Sequence, residues 1–163
     1  MSRRVRGEGF ERPKVPSSCL RHGYDIPMFR NVLVPVDLAD RHEKVLDAAI
    51  RLLEPDGRIV LLHVVEMIPG LPREEEQRFY ERLEMTARSH LEALGMELTE
   101  RSVNWRAEVI VGSRAADVVR VVIDQGNDLV VLASHRIEPD QPVRGTLSYQ
   151  VSVLVPCPVL LIK

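Results

Sequence analysis

Cysteine is nearly absent from this 163-residue chain: Cys19 and Cys157 stand far apart and form no C-x-x-C pair. That excludes a disulfide framework and a zinc module, and makes a reducing, cytoplasmic setting the expectation. Aromatic residues make up only 4% of the chain, which leaves few platforms for stacking nucleic-acid bases. Neither sign of charge dominates. A formal net charge of −2 and an isoelectric point near 6.2 argue against an electrostatic grip on nucleic acid or on anionic membranes. No apolar run approaches the roughly 18 residues of a membrane span. Arg3-Arg4 is followed by polar residues 7–13, where an export signal needs an apolar core, so export is not expected.

Several motifs are missing as well. There is no G-x-x-x-x-G-K-[ST] and no G-x-G-x-x-G after the first strand, which removes P-loop phosphoryl transfer and dinucleotide-dependent hydride transfer. A phosphoreceiver reading fails because Gly112 stands where an Asp would follow the third strand. The histidines, His22, His42, His63, His90 and His135, show no i, i+4 pair on a helix and no neighbouring cysteine ligands, so no metal site is expected.

What is present is an aliphatic globular chain of one-domain size. Hydrophobic residues make up 45% and charged residues 28%, enough to bury a core that is sheet-centred because Val, Leu and Ile outnumber aromatics. Residues 1–30 differ from the rest: seven basic residues face three acidic ones, with interspersed prolines and no apolar period. They read as a basic, disordered extension, with Met28 an alternative start. The domain then covers 31–163, where 15 basic residues meet 21 acidic ones, a net −6.

From Asn31 onward strand and helix signals alternate. Continuous aliphatic runs at 31–36, 59–65, 129–133 and 159–162 read as strands covered on both faces, and 104–111 alternates as an edge strand does. Between them, Asp40 and Glu43 fit a capping box, followed by a helix that Pro55-Asp56-Gly57 ends. A long charged helix spans 73–94, with Phe79, Leu83, Ala87, Leu91 and Leu94 on one face and Gly95 as its stop. Ser113 caps a third helix whose stripe is Ala115, Val118, Val119, Val122 and Ile123, broken by Gly126-Asn127. A short helix over 146–154 precedes Pro156-Cys157-Pro158. Five strands separated by helices imply an α/β fold, an open parallel sheet with helices on both faces.

In such sheets the ligand crevice lies beyond the strand carboxyl ends. Asp37, after the first strand, is either an acceptor for ribose or base or a helix or turn cap. His63, inside a strand, is most simply a packed, hydrogen-bonded residue. Ser134-His135 follows the fourth strand, but neighbours on an extended chain diverge, so the pair does not make a nucleophile and base. Gly145-Thr146 begins the last helix and either offers amides to a phosphate or forms a plain turn and N-cap. No catalytic residue emerges.

The combination Val32-Leu33-Val34-Pro35-Val36-Asp37, Leu61-Leu62-His63-Val64, Val111-Gly112, Leu132-Ala133-Ser134-His135, Gly145-Thr146-x-Ser148 and Pro156-Cys157-Pro158-Val159-Leu160-Leu161-Ile162 resembles the universal stress protein family over about 31–163. The resemblance implies a Rossmann-like sheet, similar to the adenine nucleotide alpha hydrolases, in strand order 3-2-1-4-5. It also implies a homodimer formed through the last strand, Val159–Ile162, which as an edge must pair or be protected. Nucleotide-binding members carry G-x-x-G-x9-G-[ST] after the fourth strand, where it cradles the phosphates of ATP, with Mg²⁺ only as the nucleotide's companion. Here Ala133 and Arg136 replace the first two glycines, and eight residues precede the retained Gly145-Thr146. The positions carried over are Pro35, Asp37, Val64, Gly112, Ser134, His135, Gly145, Thr146 and Ser148, with Ala133 and Arg136 as the departures. Arg136 either obstructs the triphosphate or binds it through its guanidinium. Two functions follow: a non-catalytic stress-response module that binds adenine nucleotide between the first and fourth strands, or a dimeric interaction protein that has lost the nucleotide.

Overall fold

The computed structural model describes residues 29–38, 42–68, 73–134 and 146–163, with the side chains of 73–76 not included. The elements are β1 (Phe29–Pro35), α1 (Glu43–Leu52), β2 (Leu53–Glu66), α2 (Arg73–Glu100), β3 (Asn104–Gly112), α3 (Arg114–Gln125), β4 (Leu129–Ala133), α4 (Leu147–Leu154) and β5 (Val159–Ile162). Every strand pairing is parallel, in the order β3-β2-β1-β4-β5, as the resemblance implies.

Two cores sandwich the sheet because the central strands are apolar at every position, not at alternate ones. On one face Val32, Val34, Ile59, Leu61 and Val131 meet Val45, Leu46 and Ala49 of α1 and Leu91, Leu94 and Leu98 of α2. On the other, Leu33, Val60, Leu62, Val130 and Leu132 meet Val118, Val121 and Val122 of α3 and Val151 of α4. Cys157 carries a free thiol that burial pushes up from its ordinary range.

Local details correct the sequence reading. The helix α1 starts at Glu43 with His42 at its N-cap and no side-chain cap bond, so Glu43 is not at N3; Asp40 lies outside the described residues. Pro55-Asp56-Gly57 is not a break after the helix but part of β2, which begins at Leu53. The register moves from Phe29↔Leu53 to Asn31↔Arg58, so these residues form a bulge between two paired stretches.

Gly95 does not stop α2, which continues to Glu100. Its end is a Schellman turn instead: Ser102, at φ 59°, takes the left-handed position, Ser102 N–H donates to Thr99 O and Val103 N–H to Leu98 O. In α3 the buried stripe is Val118, Val121 and Val122, while Ile123 is 60% exposed. At 100° per residue Ile123 lies roughly 140° round the helix from Val118. Gly126 in the left-handed region does end that helix.

Candidate functional site

A crevice of about 560 Å³ opens at the carboxyl ends of β1, β2 and β4. The chain leaves β1 toward β2 on one side and places β4 on the other, so this is the topological switch point, where neighbouring loops diverge and leave room for a ligand. Val36, Leu62, Val64 and Leu132 give it an apolar floor. Pro35, Asp37, Ala133, Thr146 and Ser148 line it too, so the structure brings together six of the candidate residues, Val64 included.

Just past the end of β1, both backbone groups of Val36 are held. Val36 N–H donates to Leu62 O at 2.8 Å, and the ring of His63 meets Val36 O at 2.8 Å. Because a carbonyl only accepts, Nδ1 of His63 carries the proton. His63 is thus the packed, hydrogen-bonded residue read from the sequence, but it also lines the crevice. The last rung between β1 and β2 is Pro35↔Leu62. The N–H and C=O of Val64, which project to the same side as those of Leu62, therefore lie beyond the reach of β1.

Asp37 follows, with Oδ1 at 3.7 Å from Nε2 of His42, which is only 5% exposed. The His42 ring packs edge-on against His90 of α2, centroids 5.3 Å apart. At the β2–β3 end, Glu66 and Arg114 form an ion pair at 3.2 Å across the crevice rim. His42, Glu66 and Arg114 were not among the candidates. The signal for the last two was their place directly at strand and helix ends, but their pairing needs β2 beside β3.

At the opposite end, α4 begins with Thr146, whose hydroxyl accepts the N–H of Tyr149 at 3.3 Å and lies 3.3 Å from Ser148 Oγ. Amides in a first helical turn lack intrahelical acceptors, and the helix dipole adds partial positive charge there. This end suits an anion.

Two candidates sit apart. Gly112 is not in the crevice lining; the carboxylate of Asp117 occupies the space that a side chain at 112 would need. That carboxylate accepts Ser113 N–H at 2.7 Å and pairs with Arg120 at 2.7 Å. It caps α3 in place of the Ser113 side chain, which makes no cap bond. Ser134 commits its N–H to Ile162 O at 2.7 Å. His135, Arg136 and Gly145 lie outside the described residues. Among the described residues no group of three or more His, Cys, Asp or Glu could hold a metal ion, and no helix is long and apolar enough to cross a membrane.

Comparison with known proteins agrees with this architecture. The universal stress protein YxiE of Bacillus subtilis is 27% identical over 153 residues, covering 83% of this chain and all of that one. The solved structure of the hypothetical protein MJ0577 superposes with a TM-score of 0.73 at 23% identity, covering 83% of this chain and 96% of that one. A universal stress protein family member from Arabidopsis thaliana, solved with AMP bound, gives a TM-score of 0.59 at 23% identity, covering 82% and 91%. Residues 28–163 match the model of the universal stress protein family, and the chain belongs to that family.

Proposed function

We propose that the crevice binds an adenine nucleotide, without chemistry on it, and that the protein works as a homodimer. The observation that carries the first part is the division of the crevice into two unlike ends. A flat base suits the apolar floor on the β2 side, where Val64 has an amide donor and acceptor beyond β1. A phosphate suits the start of α4, with the Thr146 and Ser148 hydroxyls. Asp37, between them, is the ribose acceptor, and Arg136 supplies the charge that the missing glycine contacts would have given. Mg²⁺ enters only with the nucleotide. The AMP-bound Arabidopsis relative supports this reading.

The test is calorimetric titration with ATP, paired with thermal denaturation. Ala133 is exposed and lines the crevice, so Ala133→Trp fills the space at no cost to the core. The expected result is binding and a raised melting temperature for the unmodified protein, and neither for Ala133→Trp, whose ligand-free stability is unchanged. No heat and no stabilisation at about millimolar ATP would overturn the reading, since a ligand that binds only the native state must stabilise it. The dimeric interaction protein would then stand.

Dimerisation rests on β5. It pairs with β4 on one side, no other strand among the described residues pairs with its outer edge, and Leu161 within it and Val153 and Leu154 of α4 are exposed. Pairing with a second copy would satisfy that edge. Val153→Lys with Leu161→Lys should halve the mass seen by light scattering; an unchanged mass would refute the β5 interface.

A further inference from the structure

Resting on the nucleotide reading above, we propose that His42 is a positioning residue: it holds the carboxylate of Asp37 in the orientation that receives the ribose hydroxyls. The two side chains differ in how firmly they are placed. Asp37 lines the crevice with its side chain 49% exposed, and a half-exposed side chain gives up rotamer entropy when a ligand fixes it. His42 is only 5% exposed. Its backbone stands at the N-cap of α1 in the helical region, at φ −89° and ψ −20°, and its carbonyl accepts the N–H of Leu46 at 2.8 Å. Its ring packs edge-on against His90 of α2, centroids 5.3 Å apart. A ring wedged between two helices does not follow a surface carboxylate, so where the two meet the imidazole sets the position.

They meet through Nε2 of His42, 3.7 Å from Oδ1 of Asp37. Nε2 carries a proton there, because a lone pair facing a carboxylate oxygen would be repelled. At that distance the contact is electrostatic rather than a hydrogen bond. It orients Asp37 without consuming its acceptor capacity, since a carboxylate offers about four lone-pair sites, enough for the imidazole and two ribose hydroxyls together. The placement fits a role at one remove. β1 lies between β2 and β4, so Asp37, just past its end, stands between the Val64 end of the crevice and the start of α4. His42 belongs to the α1 and α2 side of the sheet, whereas α4 packs on the other. Its effect on a nucleotide with phosphate at Thr146 and Ser148 therefore runs through Asp37.

The experiment compares ATP with 2′,3′-dideoxy-ATP, which lacks both ribose hydroxyls, by calorimetric titration. The unmodified protein should bind ATP at least about tenfold more tightly, the scale of a hydrogen bond to a charged acceptor. His42→Phe keeps a ring against His90 and removes the donor; it should weaken ATP by about three- to tenfold, the scale of ordering one side chain on binding, and leave dideoxy-ATP unchanged. His42→Gln, whose amide nitrogen can stand in for Nε2, should restore the preference for ATP. Should the phenylalanine variant fail to fold, His42→Leu replaces it. A purely structural role would weaken both nucleotides alike, and competition of His42 with the ribose for Asp37 would make ATP bind more tightly to His42→Phe; either result overturns the positioning role. So does a preference that His42→Gln fails to restore. Equal binding of ATP and dideoxy-ATP by the unmodified protein overturns it too and leaves nucleotide binding intact, whereas binding of neither overturns both.

Discussion

Replacing Leu61 with alanine should lower the unfolding free energy by about 3–5 kcal/mol, the range for deleting a fully buried leucine where the cavity cannot close. Leu61 is 0% exposed and lies in the middle of β2, opposite Val34 of β1 and Ala107 of β3. Its side chain belongs to the core shared with Leu91 and Leu98 of α2 and with α1. Hydrogen-bonded strands on both sides keep the backbone from collapsing into the space, so most of the cavity term persists. Urea denaturation should show a lower midpoint with an unchanged slope, the signature of lost stability without a change in the surface exposed. Met96→Ala on the same protein, at a side chain that is 61% exposed, should stay within about 0.5 kcal/mol. A loss below about 1 kcal/mol for Leu61→Ala would mean that this face of the sheet is loosely packed.

The strands that the sequence discloses most sharply are those with no competing local signal. β4 runs from Leu129 to Ala133 and β5 from Val159 to Ile162, as their apolar runs between Asn127-Asp128 and Ser134, and between Pro158 and Lys163, indicate. Both are continuous Val and Leu stretches bounded by polar or proline residues, so burial on two faces is their simplest account. The strand order is a different matter: periodicity gives five strands but not their sequence across the sheet, and only the family resemblance supplied it. Local punctuation misled where tertiary contacts outweigh it. Pro55-Asp56-Gly57 looks like a turn, yet pairing of Leu53 with Phe29 draws it into a bulged strand.

The site divides in the same way. Asp37, Val64, Thr146 and Ser148 lie at element ends and could be found from order alone. The ion pair of Glu66 with Arg114 joins residues 48 positions apart and depends on β2 lying beside β3. The use of Asp117 rather than Ser113 as the cap of α3 depends on a carboxylate folding back over a glycine. Nor does any spacing show that His63 spends a ring nitrogen on the Val36 carbonyl, since that follows only from where the end of β1 is held.

Gly95→Ala should destabilise the protein by about 1–3 kcal/mol, the cost of overpacking a close contact, although helix propensity alone predicts the opposite. Gly95 lies inside α2, where alanine is favoured over glycine by about 1 kcal/mol. A methyl group there would fall within the van der Waals surface of the Trp105 ring on β3. That ring is not free to swing aside, because its Nε1–H donates to Thr99 Oγ1 at 2.9 Å, one turn further along the same helix. Glycine at 95 is therefore the residue that lets α2 lie close against the edge strand, which explains why the helix continues through a position that reads as a stop. The two effects can be separated with Trp105→Leu as the background. With the ring removed, Gly95→Ala should become stabilising by up to about 1 kcal/mol, and thermal or urea unfolding of the four proteins in the cycle should give a coupling that reverses the sign of the single substitution. If Gly95→Ala stabilises the protein while Trp105 is intact, the close approach of helix and edge strand is not what places glycine there.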